Sequence, residues 1–166
     1  MAFKRFKSGK KNSDGLYKAY ESEMKFMDFK TESEMQRFIA DNIEDFCENV
    51  LGDKLVSFEC EKGFGKYAGA FGARRQYRID IYIVGLNKNY IVEIKNPKTN
   101  CDCRNALGQL LVYSSYFSGD ELVLVTSQYD LDAARAIEKF SLPIRYICLS
   151  KEISAEVISH DANRKT

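Results

Sequence analysis

The sequence contains no tryptophan, only two prolines and one histidine, and no long run of hydrophobic residues. A membrane-spanning helix needs about 20 consecutive apolar residues, and no stretch approaches that length, so we expect no membrane partner. The basic first residues are not followed by an apolar segment, which is not the pattern of a secretory signal. The sequence therefore predicts a cytoplasmic protein.

The five cysteines are odd in number and scattered, which does not suggest a disulfide framework and favours a reducing compartment. Cys101 and Cys103 form a CDC triplet, but no second pair of cysteines or histidines stands at the spacing of a zinc site. The single histidine, His160, lies near the end of the sequence. A zinc site is therefore not expected.

Charge of neither sign dominates, since 25 Lys and Arg face 24 Asp and Glu. The overall balance says nothing about partners, so the local distribution has to carry that argument. We expect one domain over residues 26–160, preceded by a basic, weakly ordered tail over residues 1–25. The tail is either a solvated extension or a basic arm that contacts nucleic-acid backbone.

Hydrophobic periodicity predicts the order helix, three strands, helix, strand, helix, strand. Thr31 is the expected N-cap of the first helix, with Glu34 as its capping-box partner and Gly52 as its stop. Apolar side chains recur on one face of that helix at Met35, Phe38, Ile39, Ile43 and Phe46.

Strands are predicted for residues 55–62, for a hairpin over 78–96, and for 121–127 and 143–150. Two further helices are predicted for 101–119, which reads as largely buried, and for 130–140 with Asp130 at its cap. Antiparallel strands followed by helix-linked strands indicate an α/β fold, in which a mixed central β-sheet is flanked by helices.

The segment from Gly63 to Arg78 has a different texture, with four glycines, four basic residues and several aromatics, and it reads as loop-like. Glycine permits close backbone approach, and basic side chains interleaved with aromatics suit a polyanion with π-faces. The alternative is a long hairpin turn that happens to be basic. The segment alone does not decide between these interpretations.

Residues 78–96 read RIDIYIVGLNKNYIVEIKN, an apolar hairpin interrupted by Asp80, Glu93 and Lys95. Side chains alternate faces along a strand, so Glu93 and Lys95 share a face. A four-residue turn over residues 85–88 would place Asp80 directly opposite Glu93. A slip of one residue would send the two carboxylates to opposite faces, so the predicted register is specific.

Two carboxylates at close range in an apolar sheet repel each other, and neither stays ionised cheaply without a cation. A salt bridge of Lys95 with Asp80 or Glu93 would satisfy one carboxylate and leave the other unexplained. A divalent cation held by both carboxylates would satisfy the pair and could activate a water molecule near a phosphate.

These residues resemble the D…ExK signature of the PD-(D/E)xK nuclease superfamily, with Asp80 followed by Glu93-Ile94-Lys95. Gln109 and Tyr113 are similar to the Q-x-x-x-Y motif of its RecB-like and NucS-like branches. Glu32, followed by apolar Met35 and Ile39, is similar to the glutamate of the superfamily's first helix. The resemblance spans about residues 31–125 and is nearest in texture to NucS-type endonuclease domains and archaeal Holliday junction resolvases.

The sequence also departs from that pattern in three respects. Ile79 stands where the superfamily's name has proline. No separate DNA-reading domain is expected within this sequence. The glycine-rich segment between the first two strands of the core is long and matches no particular branch.

The resemblance implies a restriction-endonuclease-like core and a metal-dependent nuclease acting on DNA, most simply an endonuclease. It implies that Asp80, Glu93 and the carbonyl of Ile94 ligate Mg²⁺ or Mn²⁺, and that Glu32 reaches the metal through water or holds a second ion. Lys95 would position or help deprotonate the attacking water. Gln109 and Tyr113, which lie on one helix face, would support Lys95 and the substrate backbone.

Basic residues around this site are expected to bind the phosphate backbone, mostly without regard to sequence. They are Lys66, Arg74, Arg75, Arg78, Lys98 and Arg104. A homodimer is expected if both strands of a duplex are cut, because each chain carries one site.

Two alternatives to the nuclease stay open. One is a non-catalytic nucleic-acid-binding module on the same fold, which would bind DNA without cleaving it. The other is a structural protein in which Asp80, Glu93 and Lys95 form a buried ion network.

Overall fold

The computed structural model describes residues 3–4, 21–22, 29–68, 74–96 and 103–149, with side chains over 29–65, 76–96 and 103–149. The strands are β1 Phe3–Lys4, β2 Glu21–Ser22, β3 Leu55–Ala68, β4 Arg74–Gly85, β5 Asn89–Lys95, β6 Glu121–Thr126 and β7 Ile144–Cys148. The helices are α1 Glu32–Asp41, α2 Ile43–Asp45, a π-helix Phe46–Leu51, α3 Cys103–Ser114 and α4 Leu131–Lys139.

The central sheet has five strands in the order β3-β4-β5-β6-β7. The pairs β3–β4 and β4–β5 are antiparallel, whereas β5–β6 and β6–β7 are parallel. The predicted α/β fold with a mixed sheet and the predicted order of its elements are therefore confirmed. The short strands β1 and β2 pair with each other in a separate antiparallel ladder.

Helices cover both faces of the sheet and enclose a hydrophobic core on each. One core joins α1, α2 and the π-helix to Ile81, Ile83 and Val92. The other joins α3 and α4 to Tyr82 and Ile91. Adjacent residues of β4 and β5 therefore face opposite cores, as the alternation of a strand requires.

The first helix begins as predicted, because the Thr31 hydroxyl accepts from Glu34 N at 3.2 Å. The Glu34 carboxylate in return accepts from Lys30 N at 2.7 Å. The predicted single helix over 31–52 is broken at Asn42 and continues through α2 into the π-helix. The predicted stop is confirmed, since Gly52 caps the π-helix at a φ of 77°.

The break has a cause in the spacing of the buried side chains. They recur every four residues at Met35, Ile39, Ile43, Cys47 and Leu51. A four-residue step drifts by about 40° around an α-helix, because each turn holds 3.6 residues. The break and the wider π turns compensate for this drift and keep the face directed at the sheet.

The predicted hairpin register is confirmed over the described ladder. The pairs between β4 and β5 are Ile81–Val92, Tyr82–Ile91, Ile83–Tyr90 and Val84–Asn89. Residues 85–88 form the turn, which is closed by a hydrogen bond from Gly85 N to Lys88 O at 3.0 Å. A Cβ on Gly85 would lie 2.5 Å from Oδ2 of Asp53, so glycine is required there.

Two sequence-based boundaries are wrong. The loop-like segment 63–78 is mostly strand, because β3 continues to Ala68 and β4 starts at Arg74. The reason is a stacked Phe64–Tyr77 pair, with centroids 5.5 Å apart, that extends the ladder. Residues 69–73 lie outside the described part of the chain.

The second wrong boundary is the end of α3, which stops at Ser114 instead of near Gly119. The hydroxyls of Ser114 and Ser115 donate to Leu111 O and Val112 O, which competes with helix continuation. Leu111 and Val112 are exposed, so α3 is less buried than its composition suggested. By contrast, α4 begins at its predicted cap, where Asp130 accepts from Ala133 N.

Much of the predicted N-terminal tail, the first two residues of the CDC triplet and Lys98 lie outside the described residues. Within the described ranges, none of the helices has the length and apolar character of a membrane span. The cysteines that fall in those ranges, Cys47, Cys60, Cys103 and Cys148, are free thiols.

Candidate active site

The strands β4 and β5 separate at Asp80. The last pair of their ladder is Ile81–Val92, and one further step would bring Asp80 opposite Glu93. Instead, the Asp80 carboxylate accepts from Ile94 N at 2.7 Å, and the Asp80 carbonyl accepts from the Gln36 side chain at 2.7 Å. The backbone of β5 therefore holds the Asp80 carboxylate at the point where the two strands separate.

Glu93 is almost completely buried, with 2% of its surface exposed. Its Oε1 accepts from Lys95 Nζ at 2.8 Å, as alternation along β5 predicts for residues two apart. Its Oε2 is buried and has no hydrogen-bond partner among the described residues. An unpartnered carboxylate oxygen in the interior costs several kcal/mol, so this atom requires an explanation.

The Lys95 ammonium lies among the oxygens that the sequence assigned to a metal ion. Besides Glu93, it donates to Ile94 O at 3.1 Å and stands 3.8 Å from Glu32 Oε2. Three of the four predicted ligands thus surround one cation, and that cation is an ammonium. The negative charge of the fourth, Asp80, helps to raise the pKa of the same ammonium.

Glu32 begins α1 and is held by the end of β5, because its Oε1 accepts from Asn96 N at 3.3 Å. Asn96 is fully buried, and its side-chain Nδ2 donates to Phe29 O at 2.9 Å. Its Oδ1 accepts from Ser127 Oγ at 2.7 Å. Asn96 therefore ties the segment before α1 to the ends of β5 and β6, which keeps Glu32 close to Lys95.

A second polar network flanks Asp80 on the β3 side. Gln36 Nε2 donates both to the Asp80 carbonyl and to Glu61 Oε1, the latter at 2.9 Å. Arg78 donates to Glu61 Oε2 at 3.1 Å. The flanking ladder pairs place Glu61 across from Asp80, with a φ of 56° that is uncommon for a residue other than glycine.

Tyr113 and Gln109 lie together on α3, as their spacing predicts. The Tyr113 hydroxyl donates to Arg78 O at 3.0 Å and is 3.4 Å from Gln109 Nε2. Among the described residues, Gln109 makes no bond to Lys95, so direct support of Lys95 is not seen. Tyr113 links α3 to β4 two residues before Asp80.

Electrostatics at the site disfavour two ionised carboxylates. Burial raises the pKa of Asp80 to about 6, and the charges of Glu61 and Glu32 act in the same direction. Burial also raises the pKa of Glu93 above its ordinary value, and the charge of Asp80 adds to this. Both carboxyls therefore hold protons more tightly than usual.

Burial alone would lower the pKa of Lys95, but attraction to Glu93 and the hydrogen bond between them raise it overall. The pKa of Tyr113 is raised by burial and by the nearby charges of Glu93 and Asp80. Each of these shifts would be reversed or reduced by a divalent cation among the carboxylates.

As they stand, no three His, Cys, Asp or Glu side chains of the described ranges are grouped as a ready metal site. The donor set nevertheless fits a hard cation, since it consists of carboxylate and carbonyl oxygens with one oxygen unpartnered. The obstacle is the Lys95 ammonium. A metal ion could bind only if the ammonium moved from between Glu93 and Ile94 O.

The predicted nucleic-acid-binding residues are only partly described. Arg78 is 69% exposed, and Arg104 lies exposed in the first turn of α3. Lys66 lies on β3, and Arg74 and Arg75 lie on β4, but their side chains are outside the described set. For Lys98 the whole residue is outside it.

Sequence reasoning missed Gln36, Glu61 and Asn96. Gln36 follows Glu32 by four residues and so shares its helix face, a signal that was available. Asn96 directly follows Lys95 at the end of a buried strand. Glu61 could not have been found, because its position across from Asp80 depends on the length of a turn that the sequence did not define.

A search with this chain returned no matching family model, no matching curated protein and no matching solved structure.

Proposed function

We propose that this protein is a metal-dependent nuclease that hydrolyses phosphodiester bonds of DNA, on a restriction-endonuclease-like core. The observation that carries the proposal is the buried, unpartnered Oε2 of Glu93 beside Asp80 and Lys95. The order of the elements and the D…ExK signature support the fold and the class of reaction. The active unit would be a homodimer if both strands are cut.

The charges of the site favour one divalent cation. Ionised Glu32, Asp80 and Glu93 carry three negative charges against one positive charge on Lys95. The net negative charge of two that remains would be neutralised by one Mg²⁺ or Mn²⁺ ion. Their oxygens, with the carbonyl of Ile94, would hold the ion, which when bound supplies positive charge near the phosphate and lowers the pKa of a water.

The chain's own groups would then position the reactants. Asp80 is held in place by the Ile94 amide. Lys95, released from Glu93, would donate to the attacking water or to a phosphate oxygen. The water oxygen bonds to phosphorus and releases one proton to solvent, the bond from phosphorus to one ester oxygen breaks, and that oxygen takes a proton from solvent to leave as a hydroxyl.

The test is cleavage of plasmid and branched DNA with Mg²⁺, with Mn²⁺ and with EDTA. Wild type should cut only with a divalent cation, and Glu93→Ala and Lys95→Ala should lose at least a hundredfold in rate. Asp132→Asn, an exposed carboxylate on α4, is the control and should cut like wild type. Equal activity of wild type and Glu93→Ala would refute the proposal.

The ammonium between Glu93 Oε1 and Ile94 O also fits a site that holds no metal, as in a non-catalytic nucleic-acid-binding module. In that case Lys95 would serve as the permanent counter-ion of Glu93. A binding module of this kind would bind DNA in a salt-sensitive manner that does not respond to chelators. It would cleave none of the substrates. The same cleavage experiment therefore separates the two functions.

A further inference from the structure

The strands β3 and β4 continue past the end of β5, the next strand of the sheet. β4 pairs with β5 only over residues 81–84, whereas its ladder with β3 continues to the Ala68–Arg74 pair. We call this two-stranded extension, residues 63–68 and 74–78, the ribbon.

The ribbon starts at the candidate active site. Because β4 runs antiparallel to β5, residues before Arg78 lie beyond Lys95, the last residue of β5. At about 3.4 Å a residue, the six steps from Asp80 to Arg74 span about 20 Å. The ribbon therefore leaves the sheet at the edge where Asp80 and Lys95 stand.

The base of the ribbon is fixed by aromatic rings. The ring of Phe64 contacts Tyr113 and Phe117 edge-on, each at 5.0 Å between centroids, and Tyr116 at 5.3 Å. A Cβ on Gly65 would lie 3.0 Å from the Tyr116 ring, and the φ of Gly65 is 54°, so glycine is required there. The direction of the ribbon is thus set by α3 and the turn after it.

Every charged residue of the ribbon is basic. No acidic residue occurs between Glu61 and Asp80, and this interval holds five Lys and Arg, namely Lys62, Lys66, Arg74, Arg75 and Arg78. The chain as a whole is nearly neutral, so this concentration of positive charge is local. A local excess of this kind is typical of a surface that contacts phosphates.

We propose that the ribbon binds in the major groove of double-stranded DNA, next to the phosphate that the site attacks. This inference rests on the proposed function and names its substrate class. Two strands about 4.8 Å apart fit a groove about 12 Å wide. The major groove of A-form RNA is too narrow and deep, and a single strand has no groove.

The test compares binding of the full chain to a DNA duplex, an RNA duplex and single-stranded DNA, by fluorescence anisotropy in EDTA across a salt series. Arg74→Gln/Arg75→Gln should lower affinity for the DNA duplex about tenfold and reduce the salt slope by about 2. Affinity for single-stranded DNA should change less than about threefold. Arg135→Gln/Lys139→Gln removes the same charge from exposed positions of α4 and should match wild type.

An equal loss on all three nucleic acids, or no loss on the DNA duplex, would overturn the groove assignment. If circular dichroism shows that the double variant is unfolded, Lys66→Gln on the other strand of the ribbon provides the same test. The expected changes in affinity and salt slope are then about half as large. Metal-dependent cleavage that is unaffected by these variants would refute only the proposal that the ribbon binds in the groove. Absence of both binding and cleavage in wild type would refute the proposed function as well.

Discussion

The backbone amide of Ile94 donates a hydrogen bond to Oδ2 of Asp80 at 2.7 Å, where the ladder between β4 and β5 ends. In a continued ladder a backbone carbonyl of β4 would accept this bond. The carboxylate replaces that carbonyl, so the strands can separate without leaving the amide unsatisfied. The same bond aims Asp80 at the end of β5 that carries Glu93 and Lys95.

Asp80→Asn is expected to stabilise the protein at neutral pH while abolishing the proposed DNA cleavage. Burial raises the pKa of Asp80 from 3.8 to about 6, so the folded state loses stability as pH rises through that interval. Asparagine still accepts from Ile94 N and carries no charge. Urea unfolding should give a gain of about 3 kcal/mol at pH 7 and only about 0.5 kcal/mol at pH 4.

Asp80→Ala is the control for the hydrogen bond. It removes the charge and also the acceptor, which leaves the Ile94 amide unpaired at a cost of about 1–3 kcal/mol. It should therefore be less stable than Asp80→Asn at both pH values. A gain for Asp80→Asn that is equal at pH 4 and pH 7 would show that the charge of Asp80 is not its cause.

Lys95→Met is expected to make stability depend on a divalent cation. Without the ammonium, buried Glu93 loses its ion pair, at a cost of about 3 kcal/mol in EDTA. Mn²⁺ at a hundred times its dissociation constant would restore about 2.7 kcal/mol. Thermal unfolding with and without Mn²⁺ measures the effect, which should be larger than in wild type.

Two controls give this test its specificity. Lys88→Met breaks the exposed ion pair of Lys88 with Glu121, and its unfolding should not respond to Mn²⁺. Glu93→Gln/Lys95→Met removes both partners and should be stable in EDTA and indifferent to the metal. An equal Mn²⁺ response of Lys95→Met and Lys88→Met would contradict a cation site at Glu93.

The sequence was sufficient for the centre of the site because the information there is local. Alternation and a four-residue turn place Asp80, Glu93 and Lys95 on one face, and the capping box fixes the start of α1 near Glu32. Each of these inferences depends on residues close together in the chain. The order of the elements was predictable for the same reason.

The remaining features depend on contacts between distant segments. The extension of β3 and β4 relies on Phe64 and Tyr77 packing against α3, which no local pattern encodes. The place of Glu61 follows from that extended ladder. The direction of the Lys95 side chain reflects a balance of charges in the folded protein, so the sequence left open whether it faces a carboxylate or a phosphate.

Asp53→Asn is expected to destabilise the hairpin turn and hence the fold at pH 7. The Asp53 carboxylate accepts from the backbone N–H groups of Lys54, Asn87 and Lys88 and from the Tyr90 hydroxyl. Burial would raise the pKa of Asp53, but these bonds outweigh it and lower the pKa. The stability they confer is present above about pH 4 and is lost as pH falls below it.

The midpoint of thermal unfolding should therefore drop in Asp53→Asn at pH 7, and the difference from wild type should shrink between about pH 4 and pH 2. Asp41→Asn, at an exposed position at the end of α1, is the control and should change little. A difference that stays constant across this pH range would mean that the turn does not depend on the ionised form of Asp53.

Glu61→Gln is expected to tighten DNA binding, because it releases Arg78 for contact with phosphate. The ion pair between these side chains is exposed and so contributes at most about 1 kcal/mol, which limits the gain to about fivefold. Glutamine still offers Gln36 an acceptor, so the fold should be unchanged. The affinity for duplex DNA in EDTA, measured across a salt series, should rise together with the salt slope.

Glu59→Gln separates this effect from a general change of charge. Glu59 lies on the same strand and pairs with Lys62 at 3.5 Å, so its substitution removes an equal charge and releases Lys62 in place of Arg78. Glu61→Gln should tighten binding more than Glu59→Gln, and adding Arg78→Gln should cancel the gain. Equal tightening by the two single variants would mean that Glu61 acts only through net charge, whereas cancellation by Arg78→Gln would identify the ion pair as the element that the phosphate displaces.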